Sequence, residues 1–370
     1  MGGAENQLLK IVNSVKEKDN INITIFSRKM KNEFEEEKIS ENANIIRINA
    51  TFIPILSMFI FMFKLFFKVI KLHKNRKINL IHLPLPDFYI FIAFLLRHIL
   101  KIPVITRVAG DELFPFKKHG LWLVSRLIVR SFMLILDGIQ ALNPTAYKLA
   151  LELGYPSKKL FLIHNGTIIP KEFRKYEQFT NNIVYIGAMR FYTEKQKIEQ
   201  KNLIFLIDAF CDLTKKNNNI KLILVGDGNF RSKLEKRVRE LKLESKIIFT
   251  GYQTNIKKYL LTADIFVNPS WYEGMPNTVI EAMSFGVFLL CSDIHEHRFI
   301  IDKNQNGILF DQTSKNDFVQ KVLDFYNNKK RSIKIAENGR INAIDQYSIS
   351  KTKKLILNMY RNVIIQFSKK

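Results

Sequence analysis

Between Pro269 and Asp293 the chain reads PSWYEGMPNTVIEAMSFGVFLLCSD, which sets Glu273 and Glu281 eight residues apart. Gly274 and Pro276 follow the first carboxylate, and a helical pattern carries the second. A Gly/Pro segment leaves backbone N–H groups free at the start of a helix, where the dipole favours phosphate. A carboxylate just ahead of that turn can accept hydrogen bonds from hydroxyls on one side of the phosphate. A second one, about two turns into the helix, can do so on the other side. Hydroxyl-rich groups flanking a diphosphate are what a nucleotide-sugar presents. Two glutamates at this spacing also occur on solvated helices, so the surrounding segments have to carry the argument.

Those segments alternate short β-like runs with helical patterns, which predicts parallel sheets joined by crossover helices. INITIFS, NIIRINA, INLIHLPL, IPVITRVAG, GIQALN and KLFLIHNG read as strands of a first unit. A polar connection follows near residues 170–182. IVYIGAM, IKLILVGDG, KIIFTGY, IFVNPS and VFLLCSD then read as strands of a second unit, and SKTKKLILNMYRNVIIQF as a C-terminal helix. A length of 370 residues suits two domains, at roughly 100–200 residues each.

In order and spacing, YIGAMR, KNLIFLIDAF, LILVGDGNFRSKL, IIFTGY, LLTADIFVNPS, the E-x7-E segment and NGILF resemble the retaining glycosyltransferases of family 4 over residues 183–325. GGAEN at the start, the GDE of RVAGDEL and HNGTIIP match more loosely. The resemblance implies a GT-B fold: two Rossmann-like, doubly wound α/β domains with parallel sheets facing a central cleft. Residues 1–171 would form the acceptor-side domain and 172–345 the nucleotide-sugar domain, while a helix over 346–370 crosses back to the first. It also implies roles. Arg190 and a lysine, Lys201 with Lys195 as the alternative, would stabilise the departing diphosphate. Glu273 would contact donor-sugar hydroxyls and Glu281 the ribose. Backbone amides around Gly274, Met275, Asn277 and Thr278 would bind phosphate. Gly226, in a GDG that also fits a simple glycine turn, would turn beside the nucleotide. The Gly2–Gly3 loop would approach the phosphates from the first domain.

Two departures stand out. Many relatives place a histidine near the transferred sugar, and alignment on RVAGDEL puts Ala109 at that position. Asp111 is the preferred substitute over Glu112 and Arg107, although an aspartate there also suits a turn or helix cap. In the family a β-strand directly precedes the GGAE loop, whereas Met1 lies against it here. A doubly wound sheet without its central first strand leaves two neighbours lacking ladder partners, so the native chain is expected to begin about one strand earlier. Asp293, His295 and His297 alternate as metal ligands could. They lie where relatives carry SDIPEHRE, which favours solvated or supporting roles. No D-x-D is present, so no metal cofactor is expected and the donor is a UDP- or GDP-linked sugar.

The formal charge of +24 calls for a reason, and nucleic acid and an anionic membrane face are the candidates. No nucleic-acid-binding motif accompanies it. From 51 to 101 the chain carries Lys64, Lys68, Lys71, Lys74, Arg76, Lys77, Arg97 and Lys101 against the single Asp87, interleaved with Phe, Ile, Leu and Met. A second basic, aromatic stretch holds Trp122, Arg126 and Arg130. Such helices read as interfacial, although helices packed on a sheet would explain them too. The apolar run Phe52–Phe63 is 12 residues long, short of the roughly 18 or more a span needs. Cys211 and Cys291 read as buried thiols in a reducing compartment. The expectation is a cytoplasmic enzyme peripheral to the inner face of the plasma membrane, with a lipid-linked or other saccharide acceptor in bacterial surface polysaccharide or lipopolysaccharide synthesis. A GT-B sugar-nucleotide epimerase and a catalytically silent basic scaffold are the alternatives.

Overall fold

The computed structural model describes residues 3–29, 33–49, 54–84, 89–110, 131, 135–190, 199–302 and 304–369. The chain divides into two units, Met1–Gly166 with Ile349–Lys370, and Thr167–Ser348.

Two sheets build the first unit. β1 (Ile23–Arg28) pairs parallel with β3 (Ala43–Ile48), and β2 (Glu36–Ser40) pairs antiparallel with β3. β4 (Ile81–Leu83), β5 (Val104–Val108), β6 (Gly138–Ala141) and β7 (Leu160–Leu162) form a separate, all-parallel sheet in that order. The antiparallel β2 departs from the all-parallel reading. Its EEKIS sequence is polar, as a half-exposed edge strand can be. Among the described residues β1 pairs only with β3 and β4 only with β5. Phe26 of β1 and Ile81 of β4 nevertheless pack on one apolar cluster with Val69 of helix α2 (Pro54–Asn75) and Ile92 and Leu96 of helix α3 (Tyr89–Leu100). Helix packing thus holds the two sheets in one unit.

The C-terminal helix Ile349–Ser368 packs back on this unit. Ile356, Met359 and Val363 meet Ile105, Ile163 and Ile11 of helix α1 (Gly3–Ser14). Lys353 pairs with Asp19 at 2.7 Å, and the Tyr360 hydroxyl lies 2.7 Å from His82 Nδ1. Gly166 sits so close to this helix that a Cβ would lie 2.7 Å from Thr352 Oγ1 and 3.0 Å from Ile349 Cα.

The second unit carries one parallel sheet in the order β10-β9-β8-β11-β12-β13. Its strands are β8 (Asn182–Ile186), β9 (Lys221–Val225), β10 (Ile247–Gly251), β11 (Ile265–Asn268), β12 (Phe288–Ser292) and β13 (Ile308–Phe310). The short β13, inside NGILF, joins the sheet beyond the five strands read from sequence. Numbered from its own first strand, the sheet runs 3-2-1-4-5-6, so the order reverses between β8 and β11; a doubly wound fold binds ligands outside such a switch point. Asp264, wholly buried just before β11, accepts from Arg174 Nη2 at 2.7 Å and from the Asn181 and Thr180 amides. Cys291 is buried on β12, but Cys211 is only half-buried, because it lies on a helix flank instead of in the sheet.

Candidate functional site

β8 and β11 are the innermost strands of the second sheet, and the chain leaving each supplies a charged group. The loop after β8 runs past Gly187 to Arg190, whose exposed side chain makes no hydrogen bond or ion pair among the described residues. β11 ends at Asn268, and PSWYEG follows it to Glu273. Lys201, two residues before the helix Leu203–Lys216, reaches across to Glu273 with Nζ 2.7 Å from Oε1. The same oxygen accepts from Ser270 Oγ at 2.8 Å and Asn268 Nδ2 at 3.2 Å. The Glu273 side chain is only 9% exposed. Burial alone would raise its pKa, but Lys201 and the Ser270 hydroxyl hold it below the usual carboxylate range. The arrangement is an ionised carboxylate and an ammonium, both preorganised, at the switch point of the sheet.

A buried polar relay stands behind the pair. Ser292 Oγ donates to the Ser270 carbonyl at 2.6 Å, and His297 Nδ1 lies 2.8 Å from the Ser292 carbonyl. That contact makes Nδ1 the protonated nitrogen, because a carbonyl only accepts. His297 is fully buried, and among the described residues its Nε2 has no hydrogen-bond partner. Burial pushes its pKa down to about 4, so the ring is neutral at pH 7 and Lys201 is the cation that keeps Glu273 ionised. On the other flank Glu199 accepts the Leu203 and Ile204 amides at 2.6 and 3.2 Å. Its burial raises the pKa to about 7, against the pull of those amides and Lys233.

The helix Asn277–Ser284 begins four residues after Glu273 and has no side-chain cap. Glu281 is its fifth residue, so it stands about one turn into the helix instead of the expected two, because GMP is spent as loop before the helix starts. Met275 is buried, Gly274 exposed, and Asn277 and Thr278 half-buried. The Asn277 amide turns back to the Met275 carbonyl at 2.9 Å, a bond within the loop. Gly226 follows β9 with φ +141°, and a Cβ there would lie 1.9 Å from the Gly187 carbonyl oxygen. This glycine therefore lets the β9 turn press against the β8 loop that carries Arg190.

Other expectations fall differently. Asp111, Glu112, Lys195 and Gly2 lie outside the described residues, as do Trp122, Arg126 and Arg130, and Gly3 opens helix α1. Ala109 and the buried Arg107 lie at the end of β5, where Asn143 Nδ2 donates to the Ala109 carbonyl at 2.8 Å. Asp293, His295 and His297 do not converge. Asp293 pairs with Arg298 at the surface, His295 is exposed and His297 is buried, which removes a solvated role for His297. Sequence reasoning missed Asn268, Ser270, Ser292 and Glu199. The available signal was small polar residues closing otherwise apolar strands, in IFVNPS and LLCSD.

Residues 190–342 match the glycosyl transferases group 1, and residues 1–168 match Glycosyltransferase Family 4. A poly(ribitol-phosphate) alpha-N-acetylglucosaminyltransferase of Staphylococcus aureus is 26% identical over 68% of this chain and 48% of its own length. A UDP-Gal:alpha-D-GlcNAc-diphosphoundecaprenol alpha-1,3-galactosyltransferase of Escherichia coli is 24% identical over 45% of this chain and 43% of its own length. The chain thus matches less than half the length of either relative. Anabaena HepE, solved in complex with UDP, superposes with a TM-score of 0.74 over 96% of this chain and 95% of its own, at 15% identity. That likeness fixes the GT-B fold. The two matched stretches, one in each unit, place the chain in glycosyltransferase family 4.

Proposed function

We propose that this protein transfers a sugar from a nucleotide-sugar, UDP-linked by analogy with HepE, to a saccharide carried on a lipid or polymer. The observation that carries the reading is the Lys201–Glu273 pair at the β8/β11 switch point. When the glycosidic bond to the diphosphate breaks, negative charge grows on the leaving phosphate. Lys201 has three N–H donors and can keep one on Glu273 while turning others toward phosphate oxygens. Arg190 adds a second cation from the β8 loop. Groups held in place before the reaction need no reorganisation as charge develops. Glu273, ionised and fixed through Oε1, is suited to accept hydrogen bonds from sugar hydroxyls, and Glu281 from the ribose.

The transfer is proposed to proceed with retention at the anomeric carbon and without a divalent metal, in a cytoplasmic protein peripheral to the inner membrane face. The E. coli relative's diphosphoundecaprenol acceptor supports a lipid-linked substrate here. Titration calorimetry with UDP and GDP, beside Glu281→Ala and Arg190→Ala, tests the donor site: saturable UDP binding weakened in both variants is expected. Absence of binding by either nucleotide would overturn the reading in favour of a silent scaffold. Turnover that survives EDTA, with the product's anomeric configuration matching the donor's by NMR, is expected of the mechanism; loss of turnover in EDTA would contradict metal independence.

A further inference from the structure

Helix α2 separates its phenylalanines by face. Phe61 is buried, and Phe66 packs on the cluster shared with α3. Phe59, Phe63 and Phe67 are exposed, Phe63 by 67%. They stand four residues apart, about one helical turn each, so they form a single stripe. On α3, Phe91, Leu95 and Ile99 repeat the pattern at the same spacing, and Ile99 is 58% exposed. The two helices meet through Met62 and Phe66 on one side and Ile92 and Leu96 on the other. Each contact row is angularly adjacent to its helix's exposed stripe, so both stripes border one seam.

The charge beside this seam has one sign. Lys64, Lys68 and Lys71 follow the Phe stripe on the side of α2 away from the Met62/Phe66 row, and no Asp or Glu occurs from Asn42 to Pro86. No helix among the described residues is long and apolar enough to cross a membrane. We propose that the paired stripes dock on the surface of an anionic lipid bilayer, with the rings entering the headgroup boundary and the lysines meeting lipid phosphates. Charge complementarity selects this occupant. A second copy meeting the same face would bring two basic surfaces together with no acidic residue of α2 to offset them. The inference deepens the peripheral-membrane part of the proposed function and rests on that part.

The test is co-sedimentation of the full chain with vesicles of phosphatidylglycerol and phosphatidylcholine in equal parts, or of phosphatidylcholine alone. Salt is held at ~0.15 M so that long-range attraction by the net charge is screened. Wild type is expected to bind only the anionic vesicles. Phe63→Ser/Leu95→Ser, at exposed positions that leave the core intact, is expected to bind at least ~10-fold more weakly. Lys64→Glu/Lys71→Glu is expected to lose binding at this salt. A Phe63→Trp variant should shift its emission to the blue on anionic vesicles and be quenched by brominated acyl chains. Wild-type binding by the Phe63/Leu95 variant, or no quenching, would overturn the docking face. So would a wild-type dimer that this variant converts to monomer. UDP titration of the same samples separates the two ideas: nucleotide binding without vesicle binding removes the face alone, and the converse removes the donor site alone.

Discussion

At the scale of single residues, the candidate site rests on the ionised Lys201–Glu273 pair, with His297 held neutral behind it. Lys201→Ala is expected to lower kcat by about 100-fold or more, the usual cost of removing one preorganised group at a developing anion, and initial-rate kinetics check it. Two buried groups titrate with opposite effects on stability. The folded-state pKa of His297, about 4, lies below its ordinary 6.5. Its contribution is therefore complete above pH 6.5 and is lost as pH falls toward 4, in all about 3 kcal/mol. Glu199, raised to about 7, binds its proton more readily in the folded state. Its contribution is complete below the ordinary carboxylate value and is lost as pH rises toward 7. Denaturant midpoints between pH 4 and 8 should show His297→Asn flattening the acid limb and Glu199→Gln removing the loss of stability as pH rises from 4.5 to 7. The glutamates and the lysine stood out through the E-x7-E and KNLIFLIDAF segments that carry the family resemblance. Asn268, Ser270 and Ser292 did not, because a small polar residue at a strand end looks the same whether or not it supports a buried carboxylate.

At the scale of elements, the second sheet depends on a buried charge at the mouth of β11. Arg174 and two backbone amides satisfy Asp264, and Tyr176 ties the Asp264 carbonyl to the Phe288 amide at 2.8 and 2.7 Å. Asp264→Ala strands the Arg174 charge and should cost about 3–5 kcal/mol, read as a lower urea midpoint. Gly226→Ala forces the β9 turn away from the Gly187 carbonyl and so displaces the Arg190 loop. UDP affinity is expected to fall with the sheet still folded, which far-UV circular dichroism and calorimetry on one sample would show. Most strands were readable from short β-branched runs between turn residues. β2 and β13 were not: β2 is a polar edge strand with no hydrophobic alternation, and β13 is three residues long with polar residues on both sides.

For the whole molecule, alternation and length determined two α/β units, and the E-x7-E segment with its flanking motifs determined the family. These are local signals: hydrophobic period, turn residues and fixed spacing survive without knowledge of what packs where. The +24 charge raised the expectation of an anionic partner. Tertiary structure alone decided the rest. It pressed the last helix against Gly166 and kept β1 and β4 in separate sheets on one cluster. It also brought Lys201 onto Glu273 across 72 residues and sorted the phenylalanines of α2 into core and surface. Each of these outcomes depends on which face of an element its neighbours cover, and that contact is made between residues far apart in the chain.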